Sequence, residues 1–185
     1  VSADGSYRIV LQQPYAGLML VRVSDTNTAA DYRDEASGQA QDLTVDLRAV
    51  AQADGSQDVR VNVTPATELV VLGLGLAAGD GGGAAALLGQ VSTAQVNAAQ
   101  TAVQSALGLP DDFVSATVVP TVSVDGSANP QANVYGQVLA AISGLSVTQG
   151  QPVGSVLAGL QPEVGDGSVG SAAAIGLVGA AVVAN

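Results

Sequence analysis

The side chains in this sequence that could do chemistry are carboxylates. His, Lys and Cys are absent, so the usual general bases, amine nucleophiles and thiolate metal ligands are missing. Asp31, Asp34 and Glu35 lie close together in one polar stretch, and a second acidic pair follows at 111–112. A carboxylate-based hydrolase needs two carboxyl groups that converge from separate segments, whereas sequence neighbours usually point apart. We therefore expect a protein that is not an enzyme.

The same carboxylates suit calcium, which prefers hard oxygen ligands. The candidate ligands are Asp31, Asp34 and Glu35 with Asp25 in the same stretch, or the pair at 111–112. The sequence contains no EF-hand loop and no nonapeptide calcium repeat. No organic cofactor is predicted, and calcium is the one candidate ion. The alternative is that these residues form ordinary acidic turns.

The charge distribution narrows the range of partners. The net charge is −11, and every cation is an Arg within the first 60 residues. Nucleic acids and anionic lipid surfaces are bound through cations, so neither is an expected partner. An acidic surface without Lys suits an extracellular or high-salt setting, where salt screens repulsion. Tyr15 and Tyr32, in predicted loops, could stack on a sugar or pack on the loop bases, so a glycan or surface ligand is a further candidate.

The carboxylates of the first third must be positioned by strands. Apolar and polar residues alternate over 6–12, 43–48 and 58–64, and residues 18–24 form a further, mainly apolar strand candidate. Together they predict four strands of an antiparallel sheet. The triplet Asp-Gly-Ser, a turn signal, occurs four times, and two of its copies flank these strands. The pattern predicts half of a β-sandwich over residues 1–64.

The middle of the chain has helical patterns. Thr64 and Pro65 start a predicted helix over 65–78, with Glu68 near its positive end. Ser92 and Gln95 form a capping box for a helix that Gly108 ends. Further helices are predicted from Asn129 to Gly144 and over 153–160, while 111–124 fits either a strand or an extended connector. The fold class is thus α+β, with a β region at 1–64 and a mainly helical region at 65–170 packed on it.

The C-terminal segment 171–185 is apolar and uncharged. It is too short to span a bilayer, which takes about 20 residues, so no membrane span is predicted. It must be buried in this fold or in a neighbouring molecule, as a helix or as a strand. An uncharged terminal strand can be donated to another subunit. The predicted assembly residues are Ile175, Leu177, Val178, Ala181, Val182 and Val183.

The order DGSYRIVL, AGLMLVRVSD, DYRDEASG, DLTVDLRAV and VNVTPATEL resembles an Ig-like module of large bacterial surface and biofilm proteins. Residues 34–38 match the DEATG-like loop of that family, and residues 64–68 match its TPLTE-like helix start. The resemblance implies a spacer or adhesive element of a secreted fibre. Family modules carry one more strand before the DGSY-type strand, where this chain begins. Because residue 1 is Val, we expect a processed product or an excerpt of a longer chain.

These observations lead to one functional expectation with one alternative. We expect a structural subunit of an extracellular bacterial fibre or biofilm matrix that polymerises by β-strand complementation, with 171–185 as donor strand. The alternative is a monomeric spacer or ligand-binding module, including a calcium-dependent sugar-binding one, of a large surface adhesin. Both place the protein outside the cell or on its surface.

Overall fold

The computed structural model describes residues 5–76, 82–123 and 125–170, together with residues 174, 176 and 177. The described chain is α+β, with two small antiparallel sheets and five helices. Its strands are β1 (Ala16–Val23), β2 (Tyr32–Arg33), β3 (Ala40–Gln41) and β4 (Leu47–Asp54). Its helices are α1 (Pro65–Gly73), α2 (Gly82–Leu88), α3 (Thr93–Leu107), α4 (Val134–Gln149) and α5 (Val153–Val164).

The larger sheet consists of β1 and β4. The strands pair antiparallel, with Ala16 opposite Asp54 and Val23 opposite Leu47. The strand predicted over 18–24 is confirmed, whereas the one predicted over 43–48 lies further along the chain, at 47–54. Residues 49–51 are all buried small side chains, so this part of β4 has no apolar and polar alternation from which it could be recognised.

The strands predicted at 6–12 and 58–64 do not form, so the four-stranded sheet prediction is wrong. Both segments lie outside any ladder. The second segment is held by Asn62, whose backbone N–H donates to the carbonyl of Val114 at 2.6 Å and whose side chain donates to the carbonyls of Phe113 and Ala116. Alternation produces a strand only where a partner completes the ladder. In the described chain helix α1, not a second layer of strands, packs against β4.

Helix α1 begins as predicted. The hydroxyl of Thr64 accepts a hydrogen bond from the backbone N–H of Thr67, the Thr67 hydroxyl accepts one from the backbone N–H of Thr64, and Pro65 occupies the first turn. The helix ends at Gly73 rather than at residue 78. Gly75 has a φ of 68°, a left-handed conformation that terminates helices at little cost for glycine.

Helix α4 starts and ends later than predicted. Its N-cap is Asn133, whose side chain accepts from the backbone N–H of Gly136 at 3.0 Å, while the side chain of Asn129 donates to the carbonyl of Pro120. Gly144 is buried within the helix, which continues to Gln149 and ends at Gly150 with a φ of 60°. Where several Asn and Gly residues could cap a helix, the sequence alone does not show which Asn begins it and which Gly ends it.

The other predicted helices are confirmed. Ser92 and Gln95 form the capping box of α3, and Gly108 ends it with a φ of 65°. Helix α5 begins at Val153 as expected and continues to Val164. Residues 111–123 form the connector rather than a strand, apart from one isolated bridge between Val122 and Ala128.

The core surrounds α1, which contacts β4 on one side and α3, α4 and α5 on the other. Phe113 and Tyr135 meet edge to face in this core, with ring centroids 6.1 Å apart. The largest cluster of buried side chains combines the helices with the connector: Ala66, Leu69, Val70, Val103, Leu109, Phe113, Tyr135, Ile142, Leu145, Val156, Leu157, Leu160 and Val164.

The described residues of the C-terminal segment are helical rather than extended. Ala174 donates its backbone N–H to the carbonyl of Gly170 at 2.9 Å, and Leu177 packs on the main core between α3 and α4. A strand is therefore wrong at residues 174, 176 and 177. The other predicted assembly positions lie outside the described residues: Ile175, Val178, Ala181, Val182 and Val183. Within the part of the chain that is described, no helix has the length and apolar character needed to cross a membrane.

Candidate functional site

Two of the predicted calcium ligands have other roles. One carboxylate oxygen of Asp34 accepts from the backbone N–H and the hydroxyl of Ser37, both at 2.7 Å, and the other accepts from the hydroxyl of Ser143 in α4. Glu35 accepts from the backbone N–H and the hydroxyl of Thr121, again at 2.7 Å. Burial raises the pKa of Glu35, and the two bonds from Thr121 oppose that rise. These carboxylates anchor the polar loop to α4 and to the connector.

The third predicted ligand, Asp31, belongs to a different group. Carboxylate oxygens of Asp25, Asp31 and Asp42 all lie within 4.8 Å of one another. Asp31 also accepts from the backbone N–H of Leu43 at 3.2 Å, and Asp25 accepts from the backbone N–H of Asn27 at 2.8 Å. Sequence analysis identified Asp25 and Asp31 but missed Asp42, which lies 11 positions beyond Asp31 and is brought back by the β2–β3 hairpin.

Asp42 is the least satisfied member of this group. Its Oδ1 atom is buried and has no hydrogen-bond partner. Burial raises the pKa of Asp42, and the negative charges of Asp25 and Asp31 raise it further. Three carboxylates at this spacing repel one another when ionised, so a proton or a cation would relieve the cluster.

The spacing of the cluster is compatible with calcium. Calcium binds oxygen ligands at about 2.3–2.6 Å, so two oxygens on opposite sides of one ion lie about 4.8 Å apart. Calcium takes six to eight ligands, and the three carboxylates would supply up to six oxygens if each bound through both atoms. Asp111 and Asp112, the other predicted pair, are exposed, and the side chain of Asp111 accepts from Gln104 at 2.6 Å.

A buried ion pair that the sequence did not reveal joins the sheet to α1. Arg48 on β4 and Glu68 on α1 are 3% and 5% exposed, and Arg48 Nε lies 3.2 and 3.1 Å from the two Glu68 oxygens. Nη2 contacts Glu68 Oε1, and Nη1 donates to the carbonyl of Leu76 at 2.7 Å. Burial raises the pKa of Glu68, and the guanidinium of Arg48 opposes the rise. The sequence feature that could have indicated this ion pair is an Arg within the otherwise apolar run of β4.

Surface clefts among the described elements include two that are bounded by helices. One, of about 350 Å³, lies between α1, α3 and α5 and is lined mainly by Ala, Val, Leu and Gly. The other, of about 300 Å³, lies beside Leu177 between α3 and α4. Neither is lined by a titratable side chain, so neither offers an acid or base to a bound substrate.

The most exposed apolar feature among the described residues is the segment 7–12, part of the strand predicted over 6–12. Ile9, Val10 and Leu11 are 64%, 77% and 53% exposed. Residues 8–11 make no hydrogen bond with another main-chain group in the described chain. The segment is held at one end by Tyr7, whose hydroxyl donates to the carbonyl of Val61 at 2.6 Å. It therefore presents both unpaired backbone groups and apolar side chains to solvent.

Tyr15 and Tyr32, the predicted sugar-stacking residues, are both exposed at the surface. Tyr15 lies over Gly17, where a Cβ would come within 2.9 Å of the Tyr15 hydroxyl oxygen, and that hydroxyl donates to the carbonyl of Leu18 at 2.9 Å.

Comparison of this chain with protein-family models, with curated proteins and with solved structures finds no match in any of the three.

Proposed function

We propose that this protein is a structural module, without enzymatic activity, of an extracellular bacterial fibre or biofilm matrix, and that its copies associate by β-strand complementation. The observation that carries the proposal is the segment 7–12, where three apolar side chains, and backbone groups without a main-chain partner among the described residues, face solvent. Such a segment is a template for pairing with another strand. The sequence resemblance to Ig-like surface modules supports the same role, with the small sheet as an incomplete β-layer.

Further features favour a structural role over catalysis and a location outside the cell. The chain has no His, Lys or Cys. The described clefts lack titratable side chains, and the buried Arg48–Glu68 pair joins two elements rather than facing a cavity. The acidic surface, with a net charge of −11, suits a protein that works in the salt concentrations found outside the cell.

Sedimentation velocity over a wide range of protein concentration tests this proposal. We expect the weight-average mass to rise with concentration, and the infrared signal of intermolecular β-structure to rise with it. A chain that stays monomeric up to millimolar concentration would contradict the proposal. A form that ends at residue 170 should still associate, because it keeps the segment 7–12; loss of association in a truncated form that remains folded would move the contact to the C-terminal segment.

The second candidate is a monomeric, calcium-dependent module of a surface adhesin. It is favoured by the cluster of Asp25, Asp31 and Asp42, with its buried and unpartnered oxygen. This candidate predicts that calcium stabilises the chain and that its mass does not change with concentration.

A further inference from the structure

Three consecutive large apolar side chains are exposed at Ile9, Val10 and Leu11, the one such run in the part of the chain that is described. The remaining exposed large apolar residues, such as Val134 and Val147 on α4, occur singly. Single exposed apolar residues are ordinary, whereas a contiguous run marks an interaction surface. The run is flanked by Arg8 and Gln12, and the backbone of residues 8–11 has no main-chain partner among the described residues, so the fitting partner is another strand.

The charges of the segment permit a second copy of this chain as that strand, and the order of its side chains favours one. Residues 5–24 contain two Arg and no Asp or Glu, in a chain whose net charge is −11. Over most of their surface two copies repel, because both are acidic. Residues 7–12 carry no carboxylate, so the repulsion between acidic groups is absent from the segment itself where two copies of it meet, and the one charge that each copy contributes there is Arg8.

The order of side chains selects one register. If two copies pair antiparallel with Val10 opposite Val10, then Ile9 faces Leu11 twice and Arg8 faces Gln12 twice. Four apolar side chains then lie together on one face, and no charge faces a like charge. A shift of the twofold axis to Ile9 would set Arg8 against Val10, and a shift to Leu11 would set Val10 against Gln12.

We propose that residues 7–12 form a symmetric antiparallel strand pair with the same segment of a second copy, with Val10 on the twofold axis. This inference rests on the proposed function, since it names the surface through which the copies associate. One such contact joins two copies, and a fibre would need a second contact elsewhere on the chain.

The absence of Cys from the sequence makes cross-linking a direct test. Directly opposed residues of an antiparallel pair have Cα atoms about 4.5–5.5 Å apart, within the range that a disulfide bridges. We expect Val10→Cys to form a covalent dimer under oxidised glutathione at least about tenfold faster than Val147→Cys, because association raises the effective concentration of the thiols. Val147 is a matched control, since it is a Val with 60% exposure that lies on helix α4 and outside the segment 7–12.

A second pair of variants tests the register. Ile9→Cys alone should cross-link poorly, because its copy lies diagonally across the pair, at about 7–8 Å. A mixture of Ile9→Cys and Leu11→Cys proteins should form the mixed dimer. The proposal is overturned if Val10→Cys cross-links no faster than Val147→Cys while the unmodified chain still self-associates, an outcome that leaves the proposed function standing. If the unmodified chain stays monomeric, both fail.

Discussion

Two short segments of this chain have similar sequences and opposite environments. One reads Tyr-Arg-Ile-Val at 7–10, and the other reads Leu-Arg-Ala-Val at 47–50. Val50 is 2% exposed and Arg48 is 3% exposed, whereas Val10 is 77% exposed and Arg8 is exposed as well. The difference lies in what surrounds each segment, because β4 has a paired strand, a covering helix and a counter-ion, and 7–12 has none of these in the described chain.

The comparison indicates that the ion pair between Arg48 and Glu68 fixes α1 on the sheet. Buried charges are tolerated when they are paired and hydrogen-bonded, and removal of one partner leaves the other uncompensated. Arg8 needs no such partner because water solvates it. The largest predicted loss of stability is therefore expected from a substitution in the Arg48–Glu68 ion pair.

Glu68→Gln should lower the free energy of unfolding by about 3–5 kcal/mol, because it leaves the buried guanidinium of Arg48 without a counter-charge. Urea denaturation measures the loss. The double variant Arg48→Met/Glu68→Leu should be less destabilised than Glu68→Gln, since apolar side chains of similar volume replace both charges. Arg8→Met is the matched control and should change the stability by less than about 0.5 kcal/mol. Equal losses in the single and double variants would contradict a role for the pair.

The second prediction concerns packing in the helical region. A Cβ at Gly136 on α4 would lie 2.1 Å from the carbonyl oxygen of Val119, so Gly136→Ala forces the connector away and should cost about 1–3 kcal/mol. Gly159 on α5 has no atom within 4 Å of such a Cβ, and Gly159→Ala should stabilise the protein by about 0.5–1 kcal/mol. Thermal unfolding of the two variants measures the expected loss of stability in Gly136→Ala and the expected gain in Gly159→Ala. A neutral Gly136→Ala would mean that the connector packs loosely on α4.

The helices were accessible to sequence analysis because their signals are local. Thr64, Ser92 and Gly108 act within a turn of their own position, and each does in the structure what it was predicted to do. The sequence did not identify Asn133 rather than Asn129 as the N-cap of α4, because the cap depends on contacts with the connector. The side chain of Asn129 donates to the carbonyl of Pro120 in the connector, and that of Asn133 accepts from the backbone N–H of Gly136.

Strands and the acidic cluster depend on contacts between distant residues. Residues 6–12 and 18–24 were both predicted to be strands, and only the second segment finds a partner strand in the described chain. Asp42 joins Asp25 and Asp31 through a hairpin that two-residue strands form, and strands so short leave no periodic signal. The Arg48–Glu68 pair likewise requires knowledge of how α1 lies on the sheet.

The third prediction tests the acidic cluster. The raised pKa of Asp42 means that the fold favours its protonated form. The stability that Asp42 contributes is therefore fully present below its unfolded pKa of about 3.9. It is lost as the pH rises through the raised pKa of the folded state. In the presence of a chelator, Asp42→Asn should weaken this pH dependence and raise the melting temperature at pH 7.

Calcium should raise the melting temperature of the unmodified protein at pH 7, because an ion that binds the folded state stabilises it. The same addition should have a smaller effect on Asp42→Asn and a full effect on Asp112→Asn, a matched change of an exposed acid outside the cluster. Equal responses in all three proteins would exclude the cluster as the binding site.

The smallest effect is expected where the comparison began. At a concentration at which the chain is monomeric, Val10→Thr should change the free energy of unfolding by less than about 0.5 kcal/mol, because the side chain is already solvated. Val50→Thr makes the same substitution in β4, where it buries a hydroxyl, and should cost about 1–3 kcal/mol. If the two substitutions cost the same in the monomer, segment 7–12 is covered within its own chain in solution. If Val10→Thr becomes costly only as the concentration rises, the cover is supplied by a second copy.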